Sequence, residues 1–249
     1  MNPRCYLPKN QWHSSPLTIS GSEAHHLVNV LRVSPQALVT CFDGEGKEAL
    51  GIIRTIGRRE LTIEIKEEKQ TPVPSWTITL GAAVPGNENM EQIIDEATQL
   101  GVRRIVPLLT DRTIIKLTPD RILKKQDRWQ QIAVSAAKQS EVNFLPVIEP
   151  LSRWKDFLPS FASCDCVLIA TPDGPHEALT LLIRSLVQSK SRGSLLILIG
   201  PEGDFTPQEI NQAVHQGAHR ISLGQTVLRC ETAVTVAVAL VSFLLRDKG

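Results

Sequence analysis

From Trp76 onward the chain alternates short apolar runs with longer amphipathic ones: WTITLGAAV, a helical stretch, RRIVPLLT, a long helical stretch, then CVLIA, LLILIG and RISLG with helices between them. Such alternation buries its strands only if they line up in a mostly parallel sheet covered by helices on both faces. The pattern predicts an α/β fold for this part of the chain. The helix after Gly86 is clearly marked, because Met90, Ile93, Ile94, Ala97 and Leu100 recur at helical spacing and Gly101 supplies the stop.

The preceding segment has another texture. Between Leu38 and Lys66 the β-rich runs ALVTCF, EALGIIRTI and ELTIEIK are separated by turn formers such as Asp43-Gly44 and Gly57, which predicts a small antiparallel barrel or sandwich. KEEKQ and TPVPS then break the pattern, and two prolines in a polar stretch favour an extended connector. The boundary falls near Gln70 to Ser75, dividing the chain into domains 1–72 and 73–249.

With 42% hydrophobic and 21% charged residues the composition argues against both disorder and a membrane protein. The longest apolar stretch, Thr232 to Leu245, is interrupted by Thr235 and Ser242 and falls short of the ~20 residues of a bilayer span, so it reads as a buried helix. Met1 to Asn10 lacks the apolar core of a secretory signal, which predicts a cytoplasmic protein. Cys5, Cys41, Cys164, Cys166 and Cys230 are odd in number and scattered, unlike a disulfide framework, and the Cys164, Cys166 spacing matches no common zinc pattern. No metal is expected. A net charge of +1 means that any nucleic-acid surface is local. His25 and His26 lie in an apolar segment and read as structural.

Two segments carry the chemistry. In LLILIGPEGDFTPQEI, Leu195 to Ile210, an apolar strand enters Gly200-Pro201-Glu202-Gly203-Asp204, and Thr206, Pro207 and Glu209 then supply the N-cap, first-turn proline and capping-box glutamate of a helix. A glycine-bearing loop at the carboxyl end of a parallel strand is where open α/β sheets bind ligands. This loop is neither the dinucleotide nor the Walker fingerprint, which argues against a nucleotide-binding enzyme. In ISLGQTVLRCETAVTVAVALV, Ile221 to Val241, a short strand leads through Leu223-Gly224 and Val227-Leu228 into an apolar helix. Arg229 and Glu231 stand at its mouth, where an unpaired charge is costly. Either they pair and cap the helix, or they meet a ligand.

Read together, IGPEGDF (Ile199 to Phe205) and LGQTVLRCETA (Leu223 to Ala233) resemble the GPEGG and LG-x-x-hydrophobic-LR-x-ETA motifs of the bacterial ribosomal RNA small-subunit methyltransferase E family, within the knotted methyltransferases called SPOUT. Weaker echoes run through HHLVNVLRV, MEQIIDEATQLGV, DRTIIKL and SAAKQS, so the resemblance spans both domains. It implies a PUA-like β-barrel that binds RNA, followed by a trefoil-knotted α/β domain that methylates a uridine at ring N3 in small-subunit (16S) ribosomal RNA. It also implies S-adenosylmethionine as methyl donor and a homodimer. Donor contacts carried over by motif are Ile199, Gly200, Pro201, Glu202 and Gly203 from the first loop, and Leu223, Gly224, Val227, Leu228, Thr232 and Ala233 from the second. Thr171 and Pro172, after CVLIA, form a third wall.

Methyl transfer to uracil nitrogen displaces a proton, so the resemblance gives Arg229 orientation and stabilisation of the developing anion, with Glu231 holding Arg229 in place. RNA contacts are expected from Arg4, Arg32, Arg112 and Lys116, the last two within a basic stretch that continues to Arg128. Several positions depart from the family: Val142 stands where an arginine is common, Gly86, Glu96 and Gln99 replace a lysine, a lysine and a glutamate, and Asp204 replaces the second glycine of GPEGG. These departures support two rival readings, an RNA-binding protein that keeps the fold without turnover and a knotted methyltransferase acting on another RNA.

Overall fold

The computed structural model describes residues 2–12, 16–86, 89–114 and 119–246. The chain divides into two compact units, one formed by Met1–Val73 with Ala137–Leu145, the other by Pro74–Ala136 with Pro146–Gly249.

The first unit contains β1 (Arg4–Tyr6), β2 (Leu17–Ser20), α1 (Gly21–His25), β3 (Leu38–Phe42), β4 (Lys47–Ile56) and β5 (Glu60–Gln70). They make one sheet in the order β1-β3-β4-β5-β2. Every pairing is antiparallel except β1 with β3, a parallel edge that the sequence reading did not foresee. Alternation places Leu17, Ile19, Leu61, Ile63 and Val39 inward, where they pack with Ala24 and Leu27. Register shifts at Leu50/Gly51 and Ile53/Thr55 bend β4 against β5.

Ala137–Leu145 joins this unit because the β3–β4 turn lacks side chains to keep it away. A Cβ on Gly46 would lie 2.6 Å from the Phe144 ring and one on Gly44 would lie 2.9 Å from Leu145. With that space open, the Gly46 amide donates to the Asn143 carbonyl at 3.0 Å and the Leu145 amide to the Gly44 carbonyl at 2.9 Å. Lys138 pairs with Glu23 at 3.0 Å on the same unit.

The second unit runs β6 (Trp76–Ala83), α2 (Met90–Gln99), β7 (Arg104–Leu109), α3 (Pro119–Gln139, whose last residues belong to the first unit), β8 (Val147–Ile148), β9 (Ser152–Arg153), α4 (Trp154–Phe157), β10 (Cys166–Ala170), α5 (Leu179–Ser189), β11 (Gly193–Ile199), α6 (Pro207–His215), β12 (Ala218–Ile221) and α7 (Cys230–Arg246). The strands form a parallel sheet in the order β12-β10-β11-β6-β7-β8, with β9 pairing β7. The α/β class expected from the alternation is the one observed.

Strand β11 shows why an unbroken apolar run is needed. Leu195, Ile197 and Ile199 face one core with residues of α2, α3, α5 and α7, while Leu196 and Leu198 face a second core with Trp154, Phe161 and Ala213. A strand covered on both faces has no solvent side for a polar residue. Parallel register then sets Leu198 beside Ile169, and Ala170 beside Ile221, so the carboxyl ends of β10, β11 and β12 emerge together.

Helix α7 differs from the expected buried helix. Val234, Ala237, Val238, Val241 and Leu245 are buried, but Leu240 is 43% exposed and Phe243 66% exposed. Among the described residues no helix is long and apolar enough to cross a membrane.

Helix α6 starts as the sequence indicates: the Thr206 hydroxyl accepts the Glu209 amide at 3.2 Å and Glu209 accepts the Thr206 amide at 2.8 Å. The buried Glu209 carboxylate also accepts the Asp111 amide at 2.8 Å, tying the loop after β7 to this helix start. Replacing Glu209 by Ala orphans those amides. We expect a loss of about 2–3 kcal/mol in urea unfolding, with part of it recovered in Glu209→Gln.

Candidate active site

Three loops leave the clustered strand ends. After β11 the chain reverses within Gly200–Phe205, where the Asp204 amide donates to the Pro201 carbonyl at 2.8 Å. Asp204 takes a φ of +60°, a left-handed conformation that Asp tolerates better than most residues. Phe205 is buried against Trp154, with ring centroids 5.1 Å apart, and so fixes the loop's far end. The Glu202 carboxylate accepts the Gly86 amide at 3.0 Å.

After β12 the Ser222 hydroxyl bonds the Gly224 amide at 3.2 Å and carbonyl at 3.0 Å, closing a turn in which Gly224 has φ +133°. Leu228 packs on the larger core, and the Cys230 thiol donates to the Gly200 carbonyl at 3.3 Å, joining this loop to the first. Burial pushes the Cys230 thiol pKa up to about 11, so it stays protonated and keeps donating at neutral pH.

After β10 the Thr171 amide donates to the Ile221 carbonyl at 3.1 Å. Its hydroxyl lies 3.1 Å from His176 Nε2 and accepts from Arg220 Nη2 at 3.4 Å. His176 and Arg220 therefore brace the third loop from behind, a role with no local signal in the sequence.

The three loops enclose an open cleft. Thr171, Pro172, Ile199, Gly200, Pro201, Glu202, Leu223, Gly224, Val227, Leu228 and Ala233 all line it. Gly203 and Thr232 do not: Gly203 turns its carbonyl to Arg112, and Thr232 is exposed on α7. Ala170, Asp204, Ser222, Thr226 and Cys230 line it as well. All but Ala170 lie within the segments Leu195 to Ile210 and Ile221 to Val241, yet none of the five is among the donor contacts expected from the motifs. The apolar walls and the bare backbone at Gly200 and Gly224 suit a ligand that packs against main chain.

Arg229 and Glu231 part company. Arg229 is exposed and forms no ion pair among the described residues, whereas Glu231 is buried and accepts the Asn89 side-chain amide at 3.1 Å. The expected pairing fails because residues two apart at a helix start do not face each other. Glu231 thus anchors the segment before α2 to the start of α7. Its neighbour Thr235 donates to Glu96, so the glutamate that replaces a family lysine has a structural partner here.

Of the residues expected to meet RNA, Arg32 and Arg112 are exposed. Arg4 is a correction: it is 7% exposed, pairs with Glu48 at 3.1 Å, donates to Asn143 at 2.6 Å and lies over the Phe42 ring. Its guanidinium is consumed within the first unit. Lys116 lies outside the described residues. Elsewhere in the basic stretch, Arg104 pairs with Glu149 and Arg128 with Glu91.

The first unit has its own cleft, about 500 Å³, between α1 and the β4–β5 turn. Arg58 and Arg59 line it, both exposed and without salt bridges among the described residues. His25 lines it too and is exposed, so its structural reading does not hold. The basic pair lies in a turn, where no local pattern singles it out.

Comparison with known proteins follows the same division. Residues 71–242 match the model of the RNA methyltransferase domain and residues 19–66 that of the RNA methyltransferase PUA domain. Ribosomal RNA small subunit methyltransferase E of Bacillus subtilis is 28% identical over 95% of this chain and 94% of that protein. The Rickettsia conorii protein of the same name is 30% identical over 97% of this chain and 95% of its own. The crystal structure of a ribosomal RNA small subunit methyltransferase E from Neisseria gonorrhoeae, bound to S-adenosyl methionine, superposes with a TM-score of 0.83 at 29% identity and 98% coverage of both chains. On the matched domains and on these full-length likenesses, the chain belongs to the ribosomal RNA small subunit methyltransferase E family of RNA methyltransferases.

Proposed function

We propose that this chain transfers a methyl group from S-adenosylmethionine to ring N3 of a uridine in small-subunit (16S) ribosomal RNA, working in the cytoplasm as a homodimer. The observation that carries the reading is the three-loop cleft, in which both family motifs meet at the carboxyl ends of β10, β11 and β12. A sulfonium donor supplies an electrophilic methyl group, and the transfer leaves a neutral thioether, methylated N3 and one released proton.

The chain's part is placement and charge. Gly200 and Gly224 let backbone groups approach the donor, while Ile199, Leu223 and Leu228 keep water from its apolar parts. Arg229, exposed beside the cleft with no carboxylate partner among the described residues, faces the uracil oxygens as N3 loses its proton. Glu231 is a positioning residue for the start of α7, since Asn89 occupies its carboxylate.

The first unit presents RNA with the Arg58, Arg59 and His25 cleft and the exposed Arg32, and the second unit offers the exposed Arg112. The dimer reading is supported by the exposed apolar side chains Leu240 and Phe243 of α7, three residues apart on a helix whose other face is buried. The trefoil knot is supported by α7, which packs on β11 and β6 although the chain enters it from β12 at the sheet edge.

The test is transfer of labelled methyl to small ribosomal subunits that lack the modification, followed by nucleoside analysis. We expect N3-methyluridine, with a rate reduced about 100-fold or more in Arg229→Ala and donor affinity unchanged. Donor and RNA binding without any labelled nucleoside would establish instead the RNA-binding protein without turnover; label in another nucleoside would establish a different RNA specificity.

Arg58→Ala with Arg59→Ala should weaken RNA binding and make log K less steep against log salt by about 2, without altering donor affinity. Phe243→Asp should shift the sedimentation equilibrium from dimer towards monomer.

A further inference from the structure

The charged residues that line the three-loop cleft are Glu202 and Asp204, both acidic. Glu202 is engaged by the Gly86 amide. Asp204 forms no salt bridge among the described residues, although Arg112 and Arg220 line the far side of the same loop. Its Oδ1 sits close over Gly200, about 3.0 Å from where a side chain there would begin. The carboxylate therefore lies over the first loop, met by the Phe205 amide but by no ion-pair partner among the described residues.

A cleft whose charged lining residues are both acidic favours a cationic ligand over a neutral one of the same shape. The methyl donor and its demethylated product differ in this way, because loss of the methyl group converts a sulfonium into a thioether. Resting on the donor reading above, we propose that Asp204 is a specificity determinant that makes the cleft hold the sulfonium donor more tightly than the thioether product. Such a preference hastens product exchange after each transfer.

Isothermal titration calorimetry on the full chain tests this with three ligands: S-adenosylmethionine, S-adenosylhomocysteine, and sinefungin, which bears an ammonium near the sulfonium position and transfers nothing. Wild type should bind both cations more tightly than the thioether. In Asp204→Asn the two cations should weaken about tenfold and the thioether less than about twofold, the size expected of one partly screened charge pair. Asp204→Gly should do the same, and a φ of +60° suits glycine, so this variant keeps the test open if the Asn variant folds poorly. Equal weakening of all three ligands, or a wild type that does not distinguish sulfonium from thioether, overturns the proposal while leaving the donor reading intact. A wild type that binds none of the three overturns the donor reading itself, and this inference with it.

Discussion

The reversal at the end of β11 leaves no room for a side chain at Gly200, where a Cβ would sit 2.9 Å from the Phe205 amide nitrogen. That constraint organises the cleft. The turn can be this tight because the strand before it is pinned between two cores and Phe205 after it is buried against Trp154. With both ends fixed, the Gly200 carbonyl points to Cys230, and the second loop is tied to the first through one thiol whose high pKa keeps its proton in place. The third loop is held by main-chain pairing with Ile221. A side chain at Gly200 would therefore disturb the whole cleft, and not merely its own backbone.

Much of the fold was legible because its determinants are local. Strand β11 announces itself by an apolar run too long to have a wet face, α2 by its spacing and by Gly101 with φ +82°, and α6 by a capping box that forms as written. The two motifs also mark the loops that meet in the cleft, since each combines a strand end with glycines. What escaped the sequence depends on partners far along the chain. Arg4 is buried by Glu48 and by Asn143, 139 residues away, and Glu231 by Asn89, 142 residues away. Nothing near Arg4 distinguishes an arginine for phosphate from one for an internal carboxylate. The docking of Ala137–Leu145 was invisible for a related reason, because it follows from space left empty at Gly44 and Gly46.

The departures from the family pattern illustrate how one position is compensated by another. Gly86 offers its amide to Glu202, a contact that uses the backbone and needs no side chain. Glu96 accepts from Thr235 on α7, which contributes to the seam between α2 and α7. Two of the substitutions that remove positive charge are thus absorbed by hydrogen bonds that help shape the cleft, and the cationic work is left to Arg229, Arg112 and the first unit's basic turn.

Asp204 is different in kind, and the difference argues for its use. Other acidic residues of low exposure are well met: Glu209 takes three donors, Asp43 takes the Glu45 and Lys47 amides, and Glu231 takes Asn89. Burial pushes the Asp204 carboxyl above the usual aspartate range, outweighing the Phe205 amide, Arg112 and Arg220, which pull the other way. A carboxyl whose pKa is higher in the folded chain than in the unfolded one weakens folding at neutral pH, and the penalty disappears only as pH falls below the ordinary aspartate value. The positive φ adds a second cost that glycine would not incur. The Phe205 amide and the two arginines thus offset only part of what burial costs this carboxylate. Its place at the wall of the cleft, bare of an ion-pair partner, is where a negative charge acts on a ligand.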